Sequence, residues 1–167
     1  MAIDAALTAA LESEQGVEHI EELGEISAVL IRRYAAAVGD ENPLYSDAEH
    51  ARAKGYTDIV APPNLLAAVI NWGPGAGYER LREDGTEADT HLPGVPASGV
   101  RVMGGGEEMT FKLPVVAGTV VTRSTILLDV NERESRQGPM LVVRYRDHYR
   151  DADGQSLLET VRTVLLR

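Results

Sequence analysis

A chain of 167 residues, 44% hydrophobic and 25% charged, is one globular domain's worth and can bury a core. Its formal net charge of −10 argues against a nucleic-acid binder, which needs a basic face, but leaves room for a ligand phosphate held by a few local arginines. With no cysteine, thiolate catalysis, disulfides and thiolate metal sites are excluded.

Asp4 and Glu12 near the start, with no basic run before an apolar one, argue against a signal peptide. No apolar run approaches membrane-spanning length. The expectation is a soluble, cytoplasmic domain that meets neither nucleic acid nor membrane. Residues 4–14 place Ala6 and Ala10, and Leu7 and Leu11, at four-residue spacing, which predicts a short amphipathic helix capped by Asp4 and ended by Gly16. Val17 to Glu25 is acidic and reads as irregular or as a short strand. Ser27 caps a helix to about Val38, with Leu30, Ile31, Tyr34 and Val38 on one face and Gly39 as the stop. Asp47 caps a shorter helix through Ala53.

Pro62 and Pro63 are tolerated where a helix begins, because the missing N–H groups cost little there. The apolar stretch after them predicts a buried helix over about 63–72. Residues 77–96 show no period and read as a long loop. From about residue 97 the period becomes two. Met109, Phe111 and Leu113 alternate with polar residues. Val120 through Val130 at every second position share one face, as do Leu141, Val143, Tyr145 and Tyr149 opposite Arg144, Arg146, His148 and Arg150. Leu157, Val161 and Leu165 lie on one side of a last strand, with turns over 114–118, 131–138 and 151–154. Helices followed by antiparallel strands is an α+β order.

By itself, Gly39-Asp40-Glu41-Asn42-Pro43 is turn chemistry: Asp and Asn bond nearby backbone, and Pro fixes a dihedral. The four histidines form no ligand-spaced pair, which makes a metal site an unfavoured expectation. Met103-Gly104-Gly105-Gly106-Glu107 leads into a strand, so it fails as a dinucleotide fingerprint; its glycines let another backbone or a ligand come close.

The run Val38-Gly39-Asp40-Glu41-Asn42-Pro43-Leu44-Tyr45, then Gly55-Tyr56, then Val60-Ala61-Pro62-Pro63, resembles the MaoC-like hydratases and dehydratases, nearest to the N-terminal MaoC or FAS1-like dehydratase domain type. Gly105-Gly106-Glu107-Glu108, Phe111, Pro114-Val115, Gly118 and the final Tyr149 and Gly154 fit the same group, so the resemblance covers roughly residues 17–167. It implies a hot-dog fold, an antiparallel sheet wrapped around a central helix, as a single domain over 1–167 with 1–16 as a helical extension. It also implies pairing with a second hot-dog chain, as homodimer or heterodimer, and reversible hydration of a trans-2-enoyl thioester of CoA or acyl carrier protein in fatty acid or lipid metabolism. No cofactor is implied.

In hydratase members of this family the turn reads Gly-Asp-x-Asn-Pro-x-His. Asp and His position and deprotonate water, and a backbone N–H near the start of the central helix polarises the thioester carbonyl. Asp40 and Asn42 match; the histidine position is Tyr45. A phenol with pKa about 10 is a poor base at neutral pH, though it can orient water or donate a proton. Pro63 lacks an N–H, so the oxyanion donor shifts to a neighbour such as Asn64, and Gly105 is a second substrate-lining candidate. The expectation is a hydro-lyase subunit whose partner supplies the intact Asp/His pair. Two alternatives stand beside it: a self-sufficient hydratase using Asp40 with Tyr45, and an acyl-thioester-binding or thioesterase hot-dog protein. The thioesterase is weakened by the lack of Asp or Glu between Ile59 and Trp72.

Overall fold

Local signals set the first three helices. In the computed structural model, which describes residues 4–69, 72, 75–85, 87–88, 90–97 and 99–167, α1 spans Ala5–Glu14. The Asp4 carboxylate accepts the Ala6 N–H at 2.9 Å, and Leu7 and Leu11 are buried. α2 spans Ala28–Val38; Ser27 Oγ accepts the Leu30 N–H at 3.2 Å, and Gly39 at φ +69° closes the helix. Glycine takes that left-handed stop without a Cβ clash. α3, Ala48–Ala53, starts behind Asp47, whose carboxylate takes the Glu49 and His50 N–H groups. The buried stripe of α2 is Ile31 and Ala35, flanked by Leu30 and Tyr34. Val38, expected on that stripe, is 56% exposed, because it stands in the last turn beyond the part of α2 that the core covers.

The helix expected over 63–72 is shorter. α4 spans Leu65–Ala68, and Val69 leaves it in an extended conformation at φ −88°, ψ 107°. Residues 70 and 71 of that expectation lie outside the described residues. Pro62 and Pro63 do precede the helix, as their missing N–H groups require. Leu65 and Leu66 are buried, whereas Ala67 and Val69 are half-buried and Ala68 is exposed. The segment is therefore not buried all round: its small side chains border open space.

Five antiparallel strands form one sheet: β1 Glu18–Glu25, β2 Val102–Phe111, β3 Val120–Ser135, β4 Gly138–Asp151 and β5 Ser156–Leu166. Their spatial order is β1-β3-β4-β5-β2. The acidic stretch after Val17 thus becomes an edge strand paired with β3. The turn expected over 131–138 is mostly strand, because pairing of β3 with β4 continues to Ser135 opposite Gly138. The turn before β5 is as expected: Asp151 accepts the Gly154 N–H through its carbonyl and the Asp153 and Gln155 N–H groups through its carboxylate.

Along β4, Leu141, Val143, Tyr145 and Tyr149 are buried on the packed face, as their alternation predicts. In β3 the single face expected from Val120 to Val130 is broken. Val121, Arg123, Thr125 and Leu127 face inward, and the register shifts between Leu127 and Asp129. The extra residue of a bulge carries Val130 to the packed side, where it meets the core. In β5 the inward set is Leu158, Thr160, Val164 and Leu166; Val161 and Leu165 are half-buried on the other side, and Leu157 is buried at the strand's start.

Two clusters make the core. One gathers Ile31, Tyr45, Ile59, Leu65, Leu66 and Tyr149; the other gathers Leu7, Leu11, Leu127, Val143, Tyr145 and Leu166. Each fully buried leucine or valine contributes about 1.5–3 kcal/mol. The long connection before β2 is tied to the second cluster by Leu92 and Val95, and by Pro93 O, which accepts the Tyr145 hydroxyl at 2.8 Å.

Candidate functional site

The site starts where α2 stops. Gly39 turns the chain, and the Asp40 N–H returns to Ala35 O at 2.9 Å. The Asp40 carboxylate accepts the Asn42 N–H at 3.1 Å, and the Asn42 side-chain oxygen accepts the Leu44 N–H at 3.1 Å. These two successive side-chain turns are the bonds that short Asp and Asn side chains make with backbone two residues on. A single 3-10 turn, Pro43–Tyr45, follows. The Val60 N–H then donates to Leu44 O at 2.8 Å, which fastens the segment leading to Pro62 and Pro63 against the turn.

Asp40 and Asn42 are exposed, whereas the Tyr45 side chain turns inward and is buried. Burial pushes the Tyr45 phenol above its ordinary pKa, and the Asp40 carboxylate beside it pushes the same way; a hydrogen bond with the Asn42 side chain offsets part of this. Tyr45 is therefore a neutral phenol across the physiological range, able to donate a proton or orient water but not to act as a base. The structure brings Asp40, Asn42 and Tyr45 together.

Tyr45 stands in the wall of a cleft of about 300 Å³ together with Tyr56, Val60, Leu66, Phe111 and Leu158. Pro62 and Pro63 line the same space. Asn64 follows them, exposed, at the start of α4, with no side-chain capping bond. Among the described residues its N–H has no backbone acceptor, whereas the Leu65 N–H is committed to Pro62 O at 2.9 Å. Gly105 lies elsewhere, in β2. A Cβ there would stand 2.8 Å from Thr163 Cγ2 and 3.2 Å from Thr163 O, so the glycine admits the neighbouring strand β5. Gly104 and Gly106 border a second cleft of about 550 Å³.

The sequence reading passed over a polar group on the packed face of the sheet. Asp147 is fully buried and accepts four hydrogen bonds: from Thr125 Oγ1 at 2.6 Å, Thr160 Oγ1 at 3.3 Å, and Arg162 Nε and Nη2 at 2.6 and 3.1 Å. Arg123, also buried, pairs with Glu21. Burial works against the Arg123 charge, but the Tyr149 phenol and the Glu21 and Asp147 carboxylates outweigh it and hold the guanidinium protonated. The available signal was Asp147 itself, a carboxylate in the apolar register of β4 between Tyr145 and Tyr149. Three of the four histidines are partnered away from the turn: His19 pairs with Glu14 at 2.7 Å, His91 with Glu87 at 2.9 Å, and His148 meets Ser156 Oγ at 2.8 Å; the fourth, His50, lies in α3, which follows the turn directly.

Residues 13–160 match the family described as the FAS1-like, dehydratase domain region. A UPF0336 protein of Thermobifida fusca is 35% identical over 106 residues, which span 64% of this chain and 62% of that protein. Among solved structures, the ChsH1-ChsH2 complex of Mycobacterium tuberculosis superposes with a TM-score of 0.72 at 20% identity, covering 95% of this chain and 89% of that one. The C-terminally truncated HadBC (3R-hydroxyacyl-ACP dehydratase) complex of Mycobacterium tuberculosis gives 0.67 at 18%, covering 91% and 96%. A MaoC-like dehydratase of Rhodospirillum rubrum gives 0.63 at 18%, covering 90% of each chain. Identities this low speak for the fold alone, and that fold is the α+β hot-dog.

Proposed function

Because the chain belongs to the FAS1-like dehydratase domain family, we propose that it is a subunit of an enoyl-thioester hydratase or 3-hydroxyacyl dehydratase, paired with a second hot-dog chain that supplies the intact Asp/His pair. The observation that carries the reading is Tyr45. It occupies the histidine position of the turn, and its burial beside Asp40 keeps it a neutral phenol. A chain that cannot deprotonate water at this position needs that step done elsewhere. The superposition on two complexes of differently named chains, ChsH1-ChsH2 and HadBC, supports such a division of labour.

In the hydration direction, water's oxygen bonds to the β-carbon of the enoyl group while the α-carbon gains a proton. Electron density passes meanwhile to the thioester carbonyl oxygen. The partner's base takes the water proton and returns one to the α-carbon, so the step is redox-neutral and calls for no cofactor. This chain's share is positional. The first cleft holds the acyl group near the thioester, Asp40 and Tyr45 fix a water through one acceptor and one donor, and the Asn64 N–H, with no backbone acceptor among the described residues, is the candidate dipole for the developing oxyanion. The thioester is carried by CoA or acyl carrier protein.

The adjacency of Asp40 and Tyr45 also favours a second reading, a homodimer that works with these two groups alone. Hydration of a short trans-2-enoyl-CoA, followed as loss of enoyl-thioester absorbance, separates the two. The expected result is turnover in a mixture with a MaoC-like partner and none by the purified chain. Turnover by the chain alone, abolished by Asp40→Asn, would overturn the partner reading in favour of the homodimer.

A further inference from the structure

The two clefts lie along the same elements in succession. On α4, Leu66 lines the first and Ala67, Ala68 and Val69 the second; on β2, Phe111 lines the first and Val102 to Gly104 the second. The second therefore continues away from Tyr45 between the short helix and the edge of the sheet. Most of its wall is apolar, but Glu107 stands on its β2 side, opposite Arg162 in the strand register, and its floor holds Arg123, Tyr149 and Arg162.

That floor is unusual for the inside of a sheet, where charge costs several kcal/mol per ion and well-packed apolar residues would serve stability as well or better. Its charges are already matched: Arg162 to Asp147 and Arg123 to Glu21. A ligand carboxylate would find no unpaired cation there. The donors are not used up, however. A guanidinium has five N–H groups. Arg162 spends Nε and Nη2 on Asp147, and Arg123 gives Nη2 to Glu21 and a further N–H to the Tyr149 hydroxyl, so donors remain on both side chains. A site with matched charge and surplus donors suits a neutral acceptor oxygen.

We propose that the second cleft binds the distal part of a bulky apolar acyl group that carries a neutral acceptor oxygen, a ketone carbonyl, and that Arg162 and Arg123 donate to that oxygen. The inference deepens the thioester reading above and rests on it for the identity of the proximal group, while the cleft itself can be tested without a thioester.

The test uses the intact chain and two probe pairs. One pair is a long-chain acyl-CoA ending in a methyl ketone and the same acyl-CoA with CH2 in place of the ketone oxygen. The other is methyl heptyl ketone and its CH2 analogue, which carry no thioester. Affinities come from calorimetry, and the carbonyl stretch of the bound ketone from infrared difference spectra. The ketone should bind at least about tenfold tighter than its analogue in both pairs, the ratio that one charge-assisted hydrogen bond supplies, and its carbonyl stretch should shift to lower frequency. Arg162→Met, which removes one of the two donors, should clearly lower the preference in both pairs. Ala68→Phe, at an exposed residue on the cleft wall, should weaken both members of each pair and keeps the test open if the arginine variant fails to fold. Equal affinity of ketone and analogue for the parent protein, a preference left whole by Arg162→Met, or affinities untouched by Ala68→Phe overturns the proposal. A preference within the small-ketone pair, without binding of either thioester, upholds the cleft and overturns the thioester reading instead.

Discussion

Replacing Asp147 by leucine, although it fills similar space with an apolar side chain, should destabilise the protein about as much as truncating a buried leucine. The carboxylate accepts from Thr125, Thr160 and twice from Arg162 in a fully buried position. Leucine fills similar space but leaves a guanidinium and two hydroxyls with no acceptor. Breaking a buried ion pair by removing one partner costs about 3–5 kcal/mol. The Arg162 side chain is 26% exposed and can turn toward water, which places the expectation at the low end, about 3 kcal/mol. For a chain of this size that lowers Tm by roughly 6–12 °C. The double variant Asp147→Leu/Arg162→Met removes both charges and should lose clearly less than the sum of the two single losses, since neither ion is then left unpaired. Urea unfolding followed by circular dichroism, at one fixed protein concentration, measures all four proteins. A single-variant loss under about 1 kcal/mol, or strictly additive losses, would refute the account of Asp147 and Arg162 as a mutually dependent buried pair.

Tyr45→His restores the Asp/His pattern of the turn; hydration of a short enoyl-CoA by the chain without a partner should rise by about a hundredfold or more over parent background, and an unchanged rate would count against Tyr45 as the missing element. Leu11→Ala should cost about 2–5 kcal/mol in urea unfolding, because Leu11 is fully buried in the second core cluster; a loss under about 1 kcal/mol would mean that α1 is an appendage to the fold. The hydrogen bond from Arg144 holds the Asp129 carboxyl below its usual range. A pKa depressed in the folded state gives stability that is present above the unfolded carboxylate value of about 4 and is lost as pH falls through the folded value. The stability gap between parent and Asp129→Asn should therefore exist at pH 7 and shrink at about pH 2, and a gap that keeps its size would contradict the assignment.

What could be read from the sequence was governed by short-range rules. Asp4, Ser27 and Asp47 cap their helices and Gly39 closes α2, because each device works within a few residues of itself. The turn that holds Asp40, Asn42 and Tyr45 was legible for the same reason, being six residues of local hydrogen bonding, whereas the roles assigned to the three come from the family resemblance and not from the turn itself. Long-range features were not. The bulge between Leu127 and Asp129 is decided by pairing with β4, and nothing in the alternation of β3 announces it. The end of α4 at Ala68 runs against a strongly apolar helical pattern: Val69 is extended, and Ala67 to Val69 border a cleft. Asp147 looked like a break in an apolar face, and its meaning depended on Thr125, Thr160 and Arg162 arriving from two other strands.

The strand order has a kinetic corollary. β3, β4 and β5 follow one another along the chain and close through short turns, while β1 must bring Glu18 to Ile126 and β2 must bring Val102 to Leu166. Loop-closure entropy makes the consecutive pairs the inexpensive early contacts and leaves both outer strands to dock late. The strands that dock last commonly open first, as separate cooperative units below the global unfolding free energy. Native-state amide exchange should rank β4 as the slowest segment and β2 among the fastest of the sheet. β2 is also a wall of both clefts, so a ligand bound in either should act as a clasp, readable as slowed exchange along the edge of the sheet.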